Sequence, residues 1–225
     1  MIDIRAGRKH GDLGEVLVAR FEAHGPLVEL VDTRDPRYPV SKKWVAIIST
    51  QFGCPVGCLF CDAGGDYRGD LSAAQMLALV DHLVDRRFPG RVVPVPKWKL
   101  HLARMGEPSL NPAVPEFLEA LAGRYQAAGL IPTIPTLAAS APGEWLHRVR
   151  RVKDRLYAGG RFQLQFSANS TDEEWRDRLM PVPKWPLERL AAFGREWFRP
   201  GDRKLTLNFA LAEGVPFEPA RSEER

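Results

Sequence analysis

The sequence predicts an α/β fold: a partial barrel of about five βα steps behind a small N-terminal β hairpin. Three observations carry this. From Trp44 to Leu211, apolar runs of strand length alternate with stretches of helix length. Glycine, proline and small polar residues punctuate most of the boundaries. The first forty residues lack the alternation and instead hold two apolar runs around a glycine-containing turn. Alternating strands and helices imply parallel strands joined by right-handed crossovers, and five steps leave such a barrel open on one side.

The elements follow in order. Glu15–Arg20 and Pro26–Val31 form the hairpin across Ala23-His24-Gly25. Asp35-Pro36 and Tyr38-Pro39 then break the chain before Trp44–Thr50, whose Val and Ile content reads as a buried strand. This divides the chain into an N-terminal β element, residues 1–43, and a barrel core, residues 44–225. Gly64-Gly65 and Gly69 loosen the next loop, and Ser72 is placed to N-cap a helix running to about Arg87. Further strands are expected at Trp98–Met105, Ile131–Leu137, Phe162–Ser167 and Leu205–Leu211. Helices are expected at Val114–Ala128, Gly143–Tyr157, Asp172–Met180 and Leu187–Phe198. The pentapeptide Pro94–Trp98 recurs at Pro181–Trp185, but one copy leads into a strand and the other into a helix, so it marks no duplicated unit.

With 225 residues, 44% hydrophobic and 27% charged, the chain suits one large soluble domain. Its net charge of +4 permits an anionic partner without demanding one. The basic run from His147 to Arg155 could meet phosphates, but a solvated helix face is the preferred reading. The N-terminus has no apolar segment of signal-peptide length, and the apolar runs are too short to span a membrane.

The chemistry centres on Cys54-Pro55-Val56-Gly57-Cys58-Leu59-Phe60-Cys61, which holds all three cysteines. Their spacing lets one loop wrap three thiolates around a corner of an iron–sulfur cube; four ligands would complete a 4Fe–4S cluster, so one iron would stay open. A three-cysteine zinc site finished by a histidine, or three unrelated thiols, are the alternatives; zinc loops favour paired CxxC units, and no second pair exists here. No cysteine remains for a disulfide, and a reduced cluster needs a reducing compartment, so the cytoplasm is expected.

Cys54, Cys58 and Cys61, with the aromatic Phe60 before the last of them, resemble the motif of the radical S-adenosylmethionine (SAM) enzymes. The resemblance implies that SAM binds the open iron and is reductively cleaved to methionine and a 5′-deoxyadenosyl radical, with a reductant such as flavodoxin or ferredoxin as partner. A narrower likeness runs from about Gly14 to about Val215. Ser49–Cys54, Met105-Gly106-Glu107-Pro108, Ser167-Ala168-Asn169 and Glu213-Gly214-Val215 are similar to segments of the RlmN/Cfr family of rRNA and tRNA adenine C2-methyltransferases. That likeness implies cluster ligation by Cys54, Cys58 and Cys61. It assigns Gly106 and Glu107 to the amino end of SAM, and Ser167 and Asn169 (where the family has His) to its other polar groups. Thr136 falls near a third-strand serine of the family, and Glu29 where the family has a proton-accepting glutamate. Each has a structural alternative: Glu107, Ser167 and Asn169 as helix caps, and Glu29 as a solvent-facing strand residue.

Two departures bear on function. Only the hairpin part of the family's N-terminal RNA-binding region is recognisable, and no cysteine follows Cys61 to act as the family's methyl carrier. Three readings result: a radical SAM enzyme that abstracts hydrogen from an unidentified substrate; an RNA adenine methyltransferase represented by part of its chain; and a non-catalytic protein that binds a cluster or SAM.

Overall fold

A computed structural model describes residues 2–139, 143–211 and 213–216. Its eight strands form a single sheet in the order β1-β2-β3-β4-β5-β6-β7-β8. β1 (Asp3–His10), β2 (Gly14–Arg20) and β3 (Val28–Arg34) are antiparallel, and β3 meets β4 (Trp44–Ile48) antiparallel as well. From β4 onward, β5 (Trp98–Leu102), β6 (Leu130–Thr136), β7 (Gln163–Ser167) and β8 (Thr206–Asn208) pair in parallel. These are the five parallel strands expected, with the hairpin turn closed by Gly25 N–H donating to Glu22 O at 3.1 Å. β1 is an addition that the sequence did not suggest. Nearly all its residues are exposed, so it has no apolar alternation and is held by backbone pairing to β2.

The crossover helices are α1 (Ala73–Arg87), α2 (Val114–Leu121), α3 (Gly143–Leu156), α4 (Glu173–Leu179) and α5 (Leu187–Trp197). Ser72 caps α1 in a full capping box with Gln75. α2 is shorter than expected, ending at Leu121 rather than Ala128. Ala122 turns extended, Gly123 takes φ +75°, and Gln126 pairs instead with Arg91 and Val93. The basic run lies on α3, where Arg155 pairs with Glu119 and Lys153 is buried against Asp202, so it is partly an internal ion-pair surface. Among the described residues no helix is long and apolar enough to cross a membrane.

The core lies between the sheet and its helices. Trp44 and Trp98, register partners on β4 and β5, are fully buried and stack with centroids 4.8 Å apart. Phe88 meets Trp44 edge-on at 5.3 Å, and Tyr125 meets Trp98 at 5.5 Å. Trp44 Nε1 donates to Asp32 Oδ1 at 2.8 Å, and Arg87 donates to the same carboxylate, tying β3, β4 and the end of α1 together. Strand alternation then fixes the opposite face. With Trp98, Leu100 and Leu102 buried under the helices, Lys99 and His101 point to the barrel interior.

Trp98→Ala should lower stability by about 3–5 kcal/mol, since it empties the centre of this aromatic stack. Urea denaturation measures this; a loss below about 1 kcal/mol would mean that the core does not depend on the stack.

Candidate active site

Strand β4 leads directly into the cysteine loop, and β5 leads into the Gly106-Glu107 turn. The two strand ends are stitched together. Thr50 N–H and Gln51 N–H both donate to Met105 O, at 2.8 and 3.2 Å, and Met105 N–H donates to Ser49 Oγ at 3.0 Å. Gln51 Oε1 accepts from Glu107 N–H at 2.8 Å while its Nε2 donates to Asp70 Oδ1 at 2.7 Å. Gly106 sits at φ +102°, and a Cβ there would lie 2.7 Å from both Thr50 Oγ1 and Gln51 Cβ, so only glycine allows this approach.

The cysteine loop turns at Gly57, φ +66°, and is fixed to α4 by Leu59 N–H donating to Leu179 O at 3.0 Å. Cys61 N–H donates to Cys58 O at 3.1 Å. All three cysteines open onto one cleft of about 490 Å³ at the carboxyl ends of the parallel strands, where ligands collect in such sheets. Burial raises the Cys54 thiol pKa. It pushes Cys58 up to about 12, helped by the repulsion of Cys54, Cys61 and Glu107. The raised Cys54 and Cys58 thiols suit a cationic iron cluster, whose charge would relieve the repulsion. Among the described residues no three His, Cys, Asp or Glu groups converge on one point as a single zinc ion would require. Thiolates binding different irons of one cube need no such convergence.

Gly106, Glu107, Ser167 and Asn169 line the same cleft. Glu107 is only 5% exposed, and burial raises its carboxyl pKa against the opposing pull of its hydrogen bonds. Its Oε1 accepts from Ser109 N–H at 3.0 Å, Ser109 Oγ at 2.6 Å and Thr136 Oγ1, and its Oε2 accepts from Leu137 N–H at 3.0 Å. The capping alternative is therefore realised, on the 3-10 turn Pro108–Leu110, by a residue that also faces the cleft. Thr136 is not on the cleft wall; it acts on Glu107. The cap of α4 is Asp172, not Ser167 or Asn169. Asn169, at φ +62°, donates to Met180 Sδ at 3.0 Å and accepts from Ala210 N–H at 3.1 Å. Glu29 is half-buried and paired with Arg104, which lines the cleft.

Four polar cleft residues carried no motif that singled them out in the sequence: His101, Arg104, Gln165 and Asn208. Period-two alternation was the available signal, since Gln165 precedes Ser167 by two and His101 shares its face with Lys99. Burial, then the repulsion of Lys99 and Lys43, lowers the His101 pKa to about 4, so the imidazole is neutral at physiological pH.

No protein-family model matches the chain. It is similar to the dual-specificity RNA methyltransferase RlmN of Syntrophus aciditrophicus, 29% identical over 82% of this chain and 51% of that protein. Probable RlmN proteins of Parafrankia sp. and Desulfitobacterium hafniense are each 30% identical, over 83% and 85% of this chain and 49% and 52% of theirs. The chain thus spans about half the length of the curated relatives it matches. Among solved structures, it shares the fold of a radical SAM methyltransferase from Sphaerobacter thermophilus. The TM-score is 0.76 and the identity 24%, covering 99% of this chain and 62% of that one.

Two outcomes are expected. Glu107→Ala should cost roughly 2–5 kcal/mol of stability, because it strands several buried donors, whereas Glu107→Gln should cost less. Thermal or chemical unfolding of the two variants measures this. His101 binds a proton less readily folded than unfolded, so stability should fall as pH drops from about 6.5 towards about 4, by up to about 3 kcal/mol. His101→Asn should flatten the pH–stability profile in that window; an unchanged profile would remove His101 as its source.

Proposed function

We propose that this chain is a radical SAM enzyme. The observation that carries the reading is the convergence of Cys54, Cys58 and Cys61 with Gly106, Glu107, Ser167 and Asn169 on a single cleft at the carboxyl ends of the parallel strands. A bound 4Fe–4S cluster would supply the electron for cleaving SAM to methionine and a 5′-deoxyadenosyl radical. In this reading the three cysteines hold the cluster and the Gly106 turn exposes backbone beside it. Glu107, kept in one orientation by Ser109, Thr136 and Leu137, offers a carboxylate oxygen to the SAM ammonium. Ser167 and Asn169 orient the remaining polar groups, and the neutral His101 presents a donor and an acceptor without adding charge. Glu29 is the proton acceptor, and Arg104 must swing away from it before it can serve.

Hydrogen abstraction from substrate without methyl shuttling is the first form of the reaction, with Cys54, Cys58 and Cys61 holding the cluster in this reading. RNA adenine methylation is the second reading, favoured by the names of the relatives, and would make RNA the substrate. A low-potential electron carrier of the flavodoxin or ferredoxin kind completes the system, in the cytoplasm. Residues 1–43 would serve as the β element that brings Glu29 to a core of residues 44–225.

The anaerobically reconstituted protein should hold about four irons per chain, and alanine at Cys54, Cys58 or Cys61 should abolish their retention. With SAM and a strong reductant, the wild type should release 5′-deoxyadenosine and methionine, and Cys58→Ala should not. No turnover by an iron-loaded protein would leave a binding role only. Methyl label transferred from SAM to RNA adenine would instead establish the second reading.

A further inference from the structure

Below the cleft, the barrel interior holds a charge that the proposed reaction does not use. Among the described residues, the buried cations Lys153, Lys184 and Arg176 come with carboxylates. Lys153 meets Asp202 at 2.5 Å and Asp154 at 2.7 Å, Lys184 meets Asp177 at 2.6 Å, and Arg176 meets Glu173 at 2.5 Å. Lys99 differs. It lies two residues before His101 on the interior face of β5, so roughly 6–7 Å further from the mouth. Its ammonium donates to the buried Thr133 Oγ1 at 3.3 Å, and it forms no ion pair among the described residues.

The charges around Lys99 are also positive. Burial first, and then the repulsion of Arg203, Lys97 and Lys43, brings its pKa down to about 8. Lys43 is paired with Asp35 at 2.5 Å, and Arg37 shares that carboxylate at 2.8 Å. Arg203 is aimed by a hydrogen bond from its Nε to Gly160 O at 2.7 Å. Register gathers these groups at one end of the strands: Lys43 and Lys97 precede the paired Trp44 and Trp98, and Gln163, paired with Thr133, donates to Lys204 O next to Arg203, while Asp35 is already shared by Lys43 and Arg37. Half-burying an ammonium among like charges is unfavourable unless an anion completes the set.

We propose that this interior is an anion site for a phosphate group, bound by Lys99, Arg203 and Lys97 with the Thr133 hydroxyl beside it. The excess positive charge suits a dianion, and ammonium and guanidinium groups are the usual donors to phosphate oxygens. The phosphate could be the free ion or the terminal group of a nucleotide. The site needs neither SAM nor a cluster, so its test is independent of the proposed reaction.

The test uses the full chain, prepared anaerobically in phosphate-free buffer. Inorganic phosphate and adenosine 5′-monophosphate are each titrated by calorimetry and by their effect on Tm. Wild type should bind and be stabilised, with Lys99→Met weakening the affinity at least about tenfold, as loss of a charge-assisted contact predicts. Without phosphate, Lys99→Met should melt at the same temperature as wild type or higher, since it removes an uncompensated charge. Binding of inorganic phosphate alone identifies the free ion, whereas tighter binding of the nucleotide identifies a phosphate ester. Arg203→Met gives the same comparison should Lys99→Met fail to fold. No heat or Tm shift in wild type up to about 10 mM phosphate, or equal affinity in the variants, overturns the proposal.

Discussion

The structure depends on the stitching of two neighbouring strand ends. Thr50 and Gln51 give their N–H groups to Met105 O, Gln51 takes the N–H of Glu107, and Gly106 permits the contact because any side chain there would strike Thr50 and Gln51. Asn111 Nδ2 reinforces it by donating to Thr50 O and Leu71 O, at 2.6 and 2.8 Å, closing the far end of the cysteine loop. A long loop between a strand and a helix is ordinarily free to wander. Here its entry, its exit and the opposing turn share one hydrogen-bond network. The cysteines and Glu107 therefore face each other in a relation fixed by hydrogen bonds through the backbone and the Gln51 and Asn111 side chains.

The two faces of the sheet divide the labour. The helix side is apolar and aromatic, centred on the Trp44–Trp98 stack, and supplies the burial energy. The interior side carries His101, Lys99, Gln165 and Ser167 in place of apolar residues, at the cost of desolvating them. That cost sets the electrostatics: burial leads the causes that raise the Cys58 and Glu107 pKa values and lower those of His101 and Lys99. The interior thus discourages isolated charge of either sign. The proposed cluster and the proposed anion would each bring a complementary charge and so relieve that cost.

Much of this was legible in the sequence, because alternation of strand and helix is a long-range pattern that local accidents do not erase. The five parallel strands and their helices appear where the apolar runs place them, and Ser72 caps α1 as expected. β1 was not legible, since a strand held by backbone bonds alone leaves no apolar trace. The premature end of α2 turned on the chain preferring a bridge between Val92 and Gln126 to another helical turn, a tertiary choice. At the site, Cys54, Gly106, Glu107, Ser167 and Asn169 were recognisable by motif. Thr136, expected to meet the cofactor, instead lies off the cleft wall with its hydroxyl bonded to the Glu107 carboxylate. Arg104 was invisible because nothing in the sequence couples it to Glu29, 75 residues earlier; only the curl of the sheet does.

That coupling changes how the N-terminal hairpin should be regarded. β3 pairs with β4 over five residues, Leu30 opposite Ile48 through Arg34 opposite Trp44, so the sheet crosses residue 43 without a break. Ser49 Oγ donates to Glu29 O at 2.7 Å and also accepts from Met105, which places Glu29 in the same network that holds the cysteine loop. A hinge at residues 35–43 could not move the hairpin without tearing that pairing and the Glu29–Arg104 contact together. The hairpin is therefore continuous with the sheet that carries the cleft and touches it through the Glu29–Arg104 pair, instead of being an appended module. Access to Glu29 is then governed by the rotamer of Arg104, a side-chain motion, and not by movement of the hairpin as a body.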